Sequence, residues 1–218
     1  MDPSDLTPLT DRARRLADAA HDGRRRVLGI AGAPGAGKST LAAEIVERLD
    51  GRAVLVPMDG FHLAGAELDR LGRADRKGAP DTFDAAGYVA LLRRLCHPGE
   101  TDPVYAPVFD RALEEPVAGS VRVDPDLPLV VTEGNYLLLD DGSWAQVRGL
   151  LDEAWFLDPE PETRVRRLVD RHVRFGKSRP HAESWVARSD EPNARLVESG
   201  MHRADLVVRL GHHDLGAP

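Results

Sequence analysis

Val27-Leu28-Gly29-Ile30-Ala31-Gly32-Ala33-Pro34-Gly35-Ala36-Gly37-Lys38-Ser39 is the stretch on which the fold turns. Its second part, residues 32–39, meets every fixed position of the pattern G-x-x-x-x-G-K-[ST]. It stands between an apolar run and a helical pattern, Leu41 to Leu49. Glycines let the backbone curl until successive N–H groups point inward at phosphate oxygens. Lys38 would reach the outer phosphates, the Ser39 hydroxyl would hold Mg²⁺, and the next helix adds the positive end of its dipole. Gly32, Ala33, Pro34, Gly35, Ala36, Gly37, Lys38, Ser39 and Thr40 are the expected nucleotide-binding residues, for a nucleoside triphosphate with Mg²⁺. The competing reading, a glycine-rich turn without a ligand, loses because pattern and context agree.

Outward from this loop, apolar runs and helical stretches alternate. Helices are expected over 6–20, 38–49, 84–96, 143–151, 161–175 and 180–200, and strands over 26–31, 53–57, 127–132, 153–157 and 206–210. Asp84 reads as a helix cap, and Tyr88, Leu91, Leu92 and Leu95 follow on one face. Residues 63–83 read as a loop with short helical pieces. Residues 99–127 carry short β-like runs separated by Pro and Gly, which suits a hairpin insertion. The pattern predicts an α/β, three-layer αβα fold with a mainly parallel sheet, the small hairpin insertion, and a helical lid over about 163–190. Ligands then bind beyond the carboxyl ends of the strands.

A chain of 218 residues with 42% hydrophobic and 30% charged content fits a single globular domain, 1–218, with one substantial core. A net charge of -7 argues against a nucleic-acid partner. No run reaches the ~18 apolar residues of a membrane span. The acidic start Met1-Asp2-Pro3-Ser4-Asp5 lacks the pattern of a signal peptide, so the cytoplasm is expected. Cys96, the single cysteine, reads as a structural thiol. The oligomeric state is open, a homodimer included.

Asp59 directly follows the second strand, where a carboxylate would orient an attacking hydroxyl and take its proton. His62, three residues on, suits either substrate contact or a loop cap. Glu133 ends the buried strand, where an acid serves Mg²⁺ or its water shell; Thr132 before it excludes the Asp-Glu pair of motor-type ATPases. Arg164, Arg167, Arg171 and Arg174 fall within an arc of about 80° on one helix. The Gly176-Lys177-Ser178 break after it could hinge. An arginine-bearing lid closing over the transferring phosphate accounts for this local reversal of charge.

Four segments together resemble the small-molecule kinases that include uridine kinase, phosphoribulokinase and type I pantothenate kinase. They are the loop 32–39, Met58-Asp59-Gly60-Phe61-His62, Gly78-Ala79-Pro80-Asp81-Thr82-Phe83-Asp84, and Val131-Thr132-Glu133-Gly134. The resemblance implies that Asp59 is the catalytic base and that Asp84 holds substrate hydroxyls. It also implies that Arg171 and Arg174 belong to the lid, and that Tyr105 and Phe109 lie in a substrate-contacting hairpin. Arg111-Ala112-Leu113-Glu114 replaces the Thr/Ser-His-Ser-Arg motif of uridine kinases, and the chain looks closer to a bacterial fructokinase-like or nucleoside kinase-like branch. Asp110 and Arg111 are candidate selectivity residues, an acid and a base in the hairpin that would suit a polyhydroxylated or anionic acceptor.

The expected function is transfer of the γ-phosphoryl group of ATP, with Mg²⁺, to a hydroxyl of a small metabolite such as fructose or a nucleoside-like polyol. An uncharged acceptor is favoured, because Asp59-Gly60-Phe61-His62 occupies the stretch where nucleoside monophosphate kinases carry arginines. Pantothenate or uridine/cytidine phosphorylation is the alternative. A regulatory NTPase is a third reading, but it requires an Asn-Lys-x-Asp segment that the chain lacks.

Overall fold

A computed structural model describes residues 6–21, 24–97 and 101–209. Five parallel strands form the central sheet: β1 (Arg26–Ala31), β2 (Ala53–Pro57), β5 (Leu129–Gly134), β6 (Glu153–Leu157) and β7 (Leu206–Val208). Their spatial order is β2-β5-β1-β6-β7. β3 (Val104–Asp110) and β4 (Glu115–Val123) make a separate antiparallel hairpin. The expected start of that insertion, residues 99 and 100, and Leu210 at the end of the last strand lie outside the described residues.

Alternating side chains divide the core into two layers, as the period-two pleat requires. Leu28, Ile30, Leu129, Val131, Trp155 and Leu157 face α1 (Thr7–Asp18) and α2 (Lys38–Arg48). Val27, Ala31, Val130, Ala154 and Phe156 face the other way, toward α4 (Ala85–Cys96) and the hairpin. The α4 contribution is Tyr88, Leu92 and Leu95, all buried; Leu91 is half-buried at the edge. Asp84 does cap α4, accepting a hydrogen bond from the Gly87 N–H at 2.8 Å. The buried Tyr88 hydroxyl meets Thr132 Oγ1 at 2.7 Å, and Thr132 donates to the Val56 carbonyl, so the polar groups between α4 and the sheet are satisfied.

Residues 63–83 form α3 (Gly65–Arg70) and two single 3₁₀ turns, as expected of a loop with helical pieces. The expected helix over 143–151 is instead two 3₁₀ turns, Gly142–Gln146 and Arg148–Leu150. Glycines 142 and 149 weaken an α-helix here, and Trp144, buried with its Nε1 donating to the Pro80 carbonyl, sets the local path.

The lid region is α5 (Pro161–Arg174), α6 (Arg179–Trp185), a π-helical turn Val186–Asp190, and α7 (Glu191–Glu198). Gly176, at φ +95°, makes the break between α5 and α6. Leu168, Val169, Ala182 and Val186 form their own small apolar cluster. Not all of the basic arc faces outward: Arg164 is buried, bonded to the Pro34 carbonyl and to Glu191. Its guanidinium fastens α5 to the phosphate loop and to α7 rather than serving as a lid cation.

Candidate active site

The strand order explains the site. β5 lies between β1 and β2, so Ile30, Glu133 and Pro57 stand in register, and the residues that follow each strand emerge side by side. The phosphate loop follows β1, Glu133 closes β5, and Asp59 sits in the 3₁₀ turn Met58–Phe61 directly after β2. These three segments meet in a cleft of about 640 Å³. Pro34, Gly35, Lys38, Ser39, Asp59 and Glu133 are on its wall.

The loop has the backbone its sequence demands. Gly35 and Gly37 have φ of +79° and +96°, the left-handed region open to glycine. Gly37 is the N-cap of α2, so the helix starts at Lys38 with its first N–H groups directed toward the loop. Lys38 Nζ donates to the Ala33 carbonyl at 3.1 Å and to Asn135 Oδ1 at 2.7 Å. Burial pushes its pKa down from 10.5 to about 8, against the pull of Glu133 and Asp59. Ser39 Oγ donates to Glu133 Oε1 at 2.9 Å. Burial, then the nearby Asp59 charge, raises the Glu133 pKa above the usual carboxylate range.

Asp59 Oδ2 accepts from Arg111 Nη2 at 3.0 Å, which ties the hairpin tip to the end of β2. His62 is held by the Asp59 carbonyl at 2.7 Å and lies between the rings of Phe83 and Phe109, at 4.0 and 4.7 Å. Burial lowers its pKa, so the imidazole favours the neutral form. The hairpin approaches this turn closely: a Cβ on Gly60 would collide with the Pro107 carbonyl. From the lid, Arg171, His172, Phe175, Lys177, Trp185, Asp190 and Asn193 complete the wall. His172 Nε2 and Asp190 Oδ2 are 2.9 Å apart, joining α5 to the π-helical turn.

Of the residues expected from sequence, Pro34, Gly35, Lys38, Ser39, Asp59, His62, Phe109, Arg111, Glu133 and Arg171 line this one cleft. Gly32, Ala33, Ala36, Gly37 and Thr40 shape the loop around them without lining it. Three others are placed elsewhere. Arg174 lies a turn beyond Arg171, off the cleft wall. The Asp84 carboxylate is exposed and engaged as the α4 cap. Tyr105 is 53% exposed on the outer face of the hairpin. Strict alternation would put Tyr105 and Phe109 on one face, yet Phe109 is buried and Tyr105 is not; between them the register slips, residues 118–120 of β4 standing against Pro107 alone. Asn135, Lys77, Glu114, His172, Trp185 and Asp190 were not anticipated from sequence. Asn135 alone had a signal, as a polar residue two positions past Glu133.

Comparison with known proteins places this geometry. The family model described as the phosphoribulokinase / uridine kinase family matches residues 27–215. A Schizosaccharomyces pombe protein provisionally named as a uridine kinase is 32% identical over 96% of this chain and 93% of its own. The uncharacterised Escherichia coli protein YggC is 35% identical over 86% of this chain and 78% of its own. A crystal structure from Silicibacter sp. TM1040, provisionally described as a fructose transport system kinase, superposes with a TM-score of 0.84 at 34% identity. It covers 93% of this chain and 98% of that one. This chain belongs to the phosphoribulokinase / uridine kinase family and is a P-loop, ATP-dependent kinase.

Proposed function

We propose that the enzyme phosphorylates a hydroxyl group of a small polyhydroxylated metabolite, with Asp59 as base and with Mg²⁺ held at Ser39 and Glu133. The observation that carries this reading is the convergence of Asp59, Glu133 and the phosphate loop on one cleft. A hydroxyl and a carboxylate 2.9 Å apart are hard oxygen donors. They are few enough to leave the remaining positions to phosphate oxygens and water, as Mg²⁺ prefers. When bound, the ion neutralises charge on the outer phosphates.

The chain's own residues supply the rest. Lys38 and the loop N–H groups hold the triphosphate; Asn135 and the Ala33 carbonyl aim the Lys38 ammonium. Asp59 orients the acceptor hydroxyl and takes its proton late in the transfer. His62, pinned on Asp59's own carbonyl and wedged between Phe83 and Phe109, fixes the floor on which the acceptor rests. Arg171, on the lid side of the cleft, adds positive charge toward the moving phosphoryl group, and the lid helices exclude water. Arg174 joins this lid as a flanking cation. Asp84 and Tyr105 contribute to the frame around the acceptor rather than to its contacts. The name of the Silicibacter relative makes fructose one acceptor to test.

A coupled ADP-release screen over sugars, polyols, nucleosides, pantothenate and hydroxy acids tests the reading. Asp59→Asn should lower kcat at least ~100-fold while nucleotide affinity stays within about threefold, the signature of lost proton acceptance. Retained turnover in Asp59→Asn would remove the carboxylate from the mechanism.

A further inference from the structure

Asn135 stands between the two halves of the cleft. The sheet order puts β5 between β1 and β2, so the residues after Gly134 emerge between the phosphate loop and the Asp59 turn. The backbone is held on either side of it. A Cβ on Gly134 would meet the Met58 side chain at 2.5 Å, and the Tyr136 side chain is buried with its hydroxyl donating to the Gly78 carbonyl. The Asn135 side chain, fixed at its root, lines the cleft.

Chemistry orients the amide. Lys38 Nζ, 2.7 Å away, is an ammonium with donors only, so the atom that faces it is Oδ1. The two N–H donors of Nδ2 then turn to the cleft, and among the described residues nothing accepts them. The nearby acids have other partners: Glu133 takes Ser39, Asp59 takes Arg111, and Asp190 takes His172. Lys38 of such a loop reaches the outer phosphates. Nδ2 hangs from the same carbon as the oxygen that Lys38 touches, so oxygens of the phosphate gripped by that ammonium come within its reach. The amide is uncharged, so it adds donors to a cleft already lined by Lys38, Lys77, Arg111, Arg171 and Lys177 without altering the charge there.

We infer that Asn135 is a further catalytic residue, whose side-chain N–H groups donate to an oxygen of the γ-phosphoryl group and so distinguish a triphosphate from a diphosphate. In the transfer the acceptor oxygen bonds to the γ-phosphorus and its proton passes to Asp59. The bond from that phosphorus to the β,γ-bridging oxygen breaks, and its electron pair leaves with ADP. Asn135 gives up no proton; it holds a phosphoryl oxygen while the group crosses from the loop toward Asp59. A donor fixed in advance stabilises the charge without reorganising at the moment of reaction. The inference rests on the kinase reading above.

The chain has two asparagines, Asn135 and Asn193, and both line the cleft. Protein labelled with ¹⁵N-asparagine therefore gives two side-chain amide signals, assigned by Asn135→Ala and Asn193→Ala. With Mg²⁺ present, replacing ADP by the β,γ-imido analogue of ATP should move an Asn135 amide proton downfield, the direction of a new bond to an anion. Calorimetry of the same two ligands gives a second readout. Asn135→Ala should weaken the analogue at least about tenfold more than it weakens ADP, the worth of one hydrogen bond to a charged group. A residue that only aims Lys38 behaves differently: its signal answers ADP and the analogue alike, and its removal weakens both to the same degree. Either of those results overturns the inference, as does a signal that moves only when an acceptor is added. If wild type binds neither nucleotide, the kinase reading falls and takes this inference with it. If both bind while Asn135 ignores the third phosphate, this inference alone falls.

Discussion

Nucleotide binding at pH 9 should draw close to one proton from solution, and Lys38 is the group that takes it. In the empty protein burial lowers its pKa from 10.5 to about 8, and the nearby Arg171 and Arg164 charges add to that effect. Phosphate oxygens on the loop reverse this by placing negative charge against the ammonium, which returns the pKa toward its ordinary value. Proton uptake equals the neutral fraction of the empty site: about 0.1 at pH 7, about 0.5 at pH 8 and about 0.9 at pH 9. Apparent affinity should weaken as pH rises past 8, approaching tenfold per unit, or about 1.4 kcal/mol. The sign for folding follows from the same shift. A lysine whose folded pKa lies below its unfolded one disfavours the folded state at neutral pH. That cost fades between about pH 8 and 10.5.

Isothermal calorimetry of ADP binding in buffers of different ionisation enthalpy reads the uptake directly. ADP is fully deprotonated across pH 8–9.5, so its own phosphates add nothing there. Lys38→Met supplies the baseline, because any other coupled group remains in that variant. An uptake at pH 9 that is under about 0.2 proton, or that survives in Lys38→Met, would refute the argument that burial sets this lysine's charge.

Two further outcomes follow from the same geometry. Gly35→Ala must place a Cβ at φ +79°, 2.6 Å from Leu168 Cγ and 2.9 Å from the Arg164 carbonyl. The backbone strain alone is worth ~1–2 kcal/mol, so thermal unfolding should drop by at least about 2 °C, and ADP affinity should fall as α5 is pushed off the loop. Glu133, raised by burial and by Asp59, should lose its charge at a higher pH than an ordinary carboxylate. Mg²⁺ capture by the ADP complex, titrated from pH 7.5 down to 5.5, should therefore weaken on acidification, and Glu133→Gln should flatten that dependence.

Much of the fold was legible because its strands are buried on both faces. Runs such as Leu129-Val130-Val131-Thr132 and Glu153-Ala154-Trp155-Phe156-Leu157 admit few other environments, and the glycine loop fixed how β1 joins α2. Residues 143–151 were misread because a nine-residue stretch with an apolar face suits an α-helix or two 3₁₀ turns equally. The choice fell to Trp144, whose indole is claimed by the distant Pro80 carbonyl. Arg164 was misread for a related reason. Helical periodicity gives its direction around the axis, but not that the phosphate loop and Glu191 lie in that direction. Alternation along β3 likewise gives one face to Tyr105 and Phe109, but not the register slip opposite Pro107, where β4 carries Gly119 at φ +72°; Phe109 enters the cleft while Tyr105 stays outside.

The site divides along the same line. Lys38, Ser39, Asp59 and Glu133 could be named in advance because each sits at the carboxyl end of a strand or in the loop that follows it. A parallel sheet brings all such ends to one edge whatever the strand order. Lys77, Glu114, Asn135, His172 and Asp190 could not, because their positions depend on how separate insertions fold back over that edge. The phosphate loop and its acids are therefore set by the sheet, whereas the facing wall of the cleft is assembled by the hairpin, the loop after α3 and the helices from α5 onward. The sheet-borne half of the cleft can then persist while the facing wall changes with a register slip or a single arginine. In this chain the contact that joins the two parts is the one between Arg111 and Asp59, which ties the hairpin tip to the turn after β2.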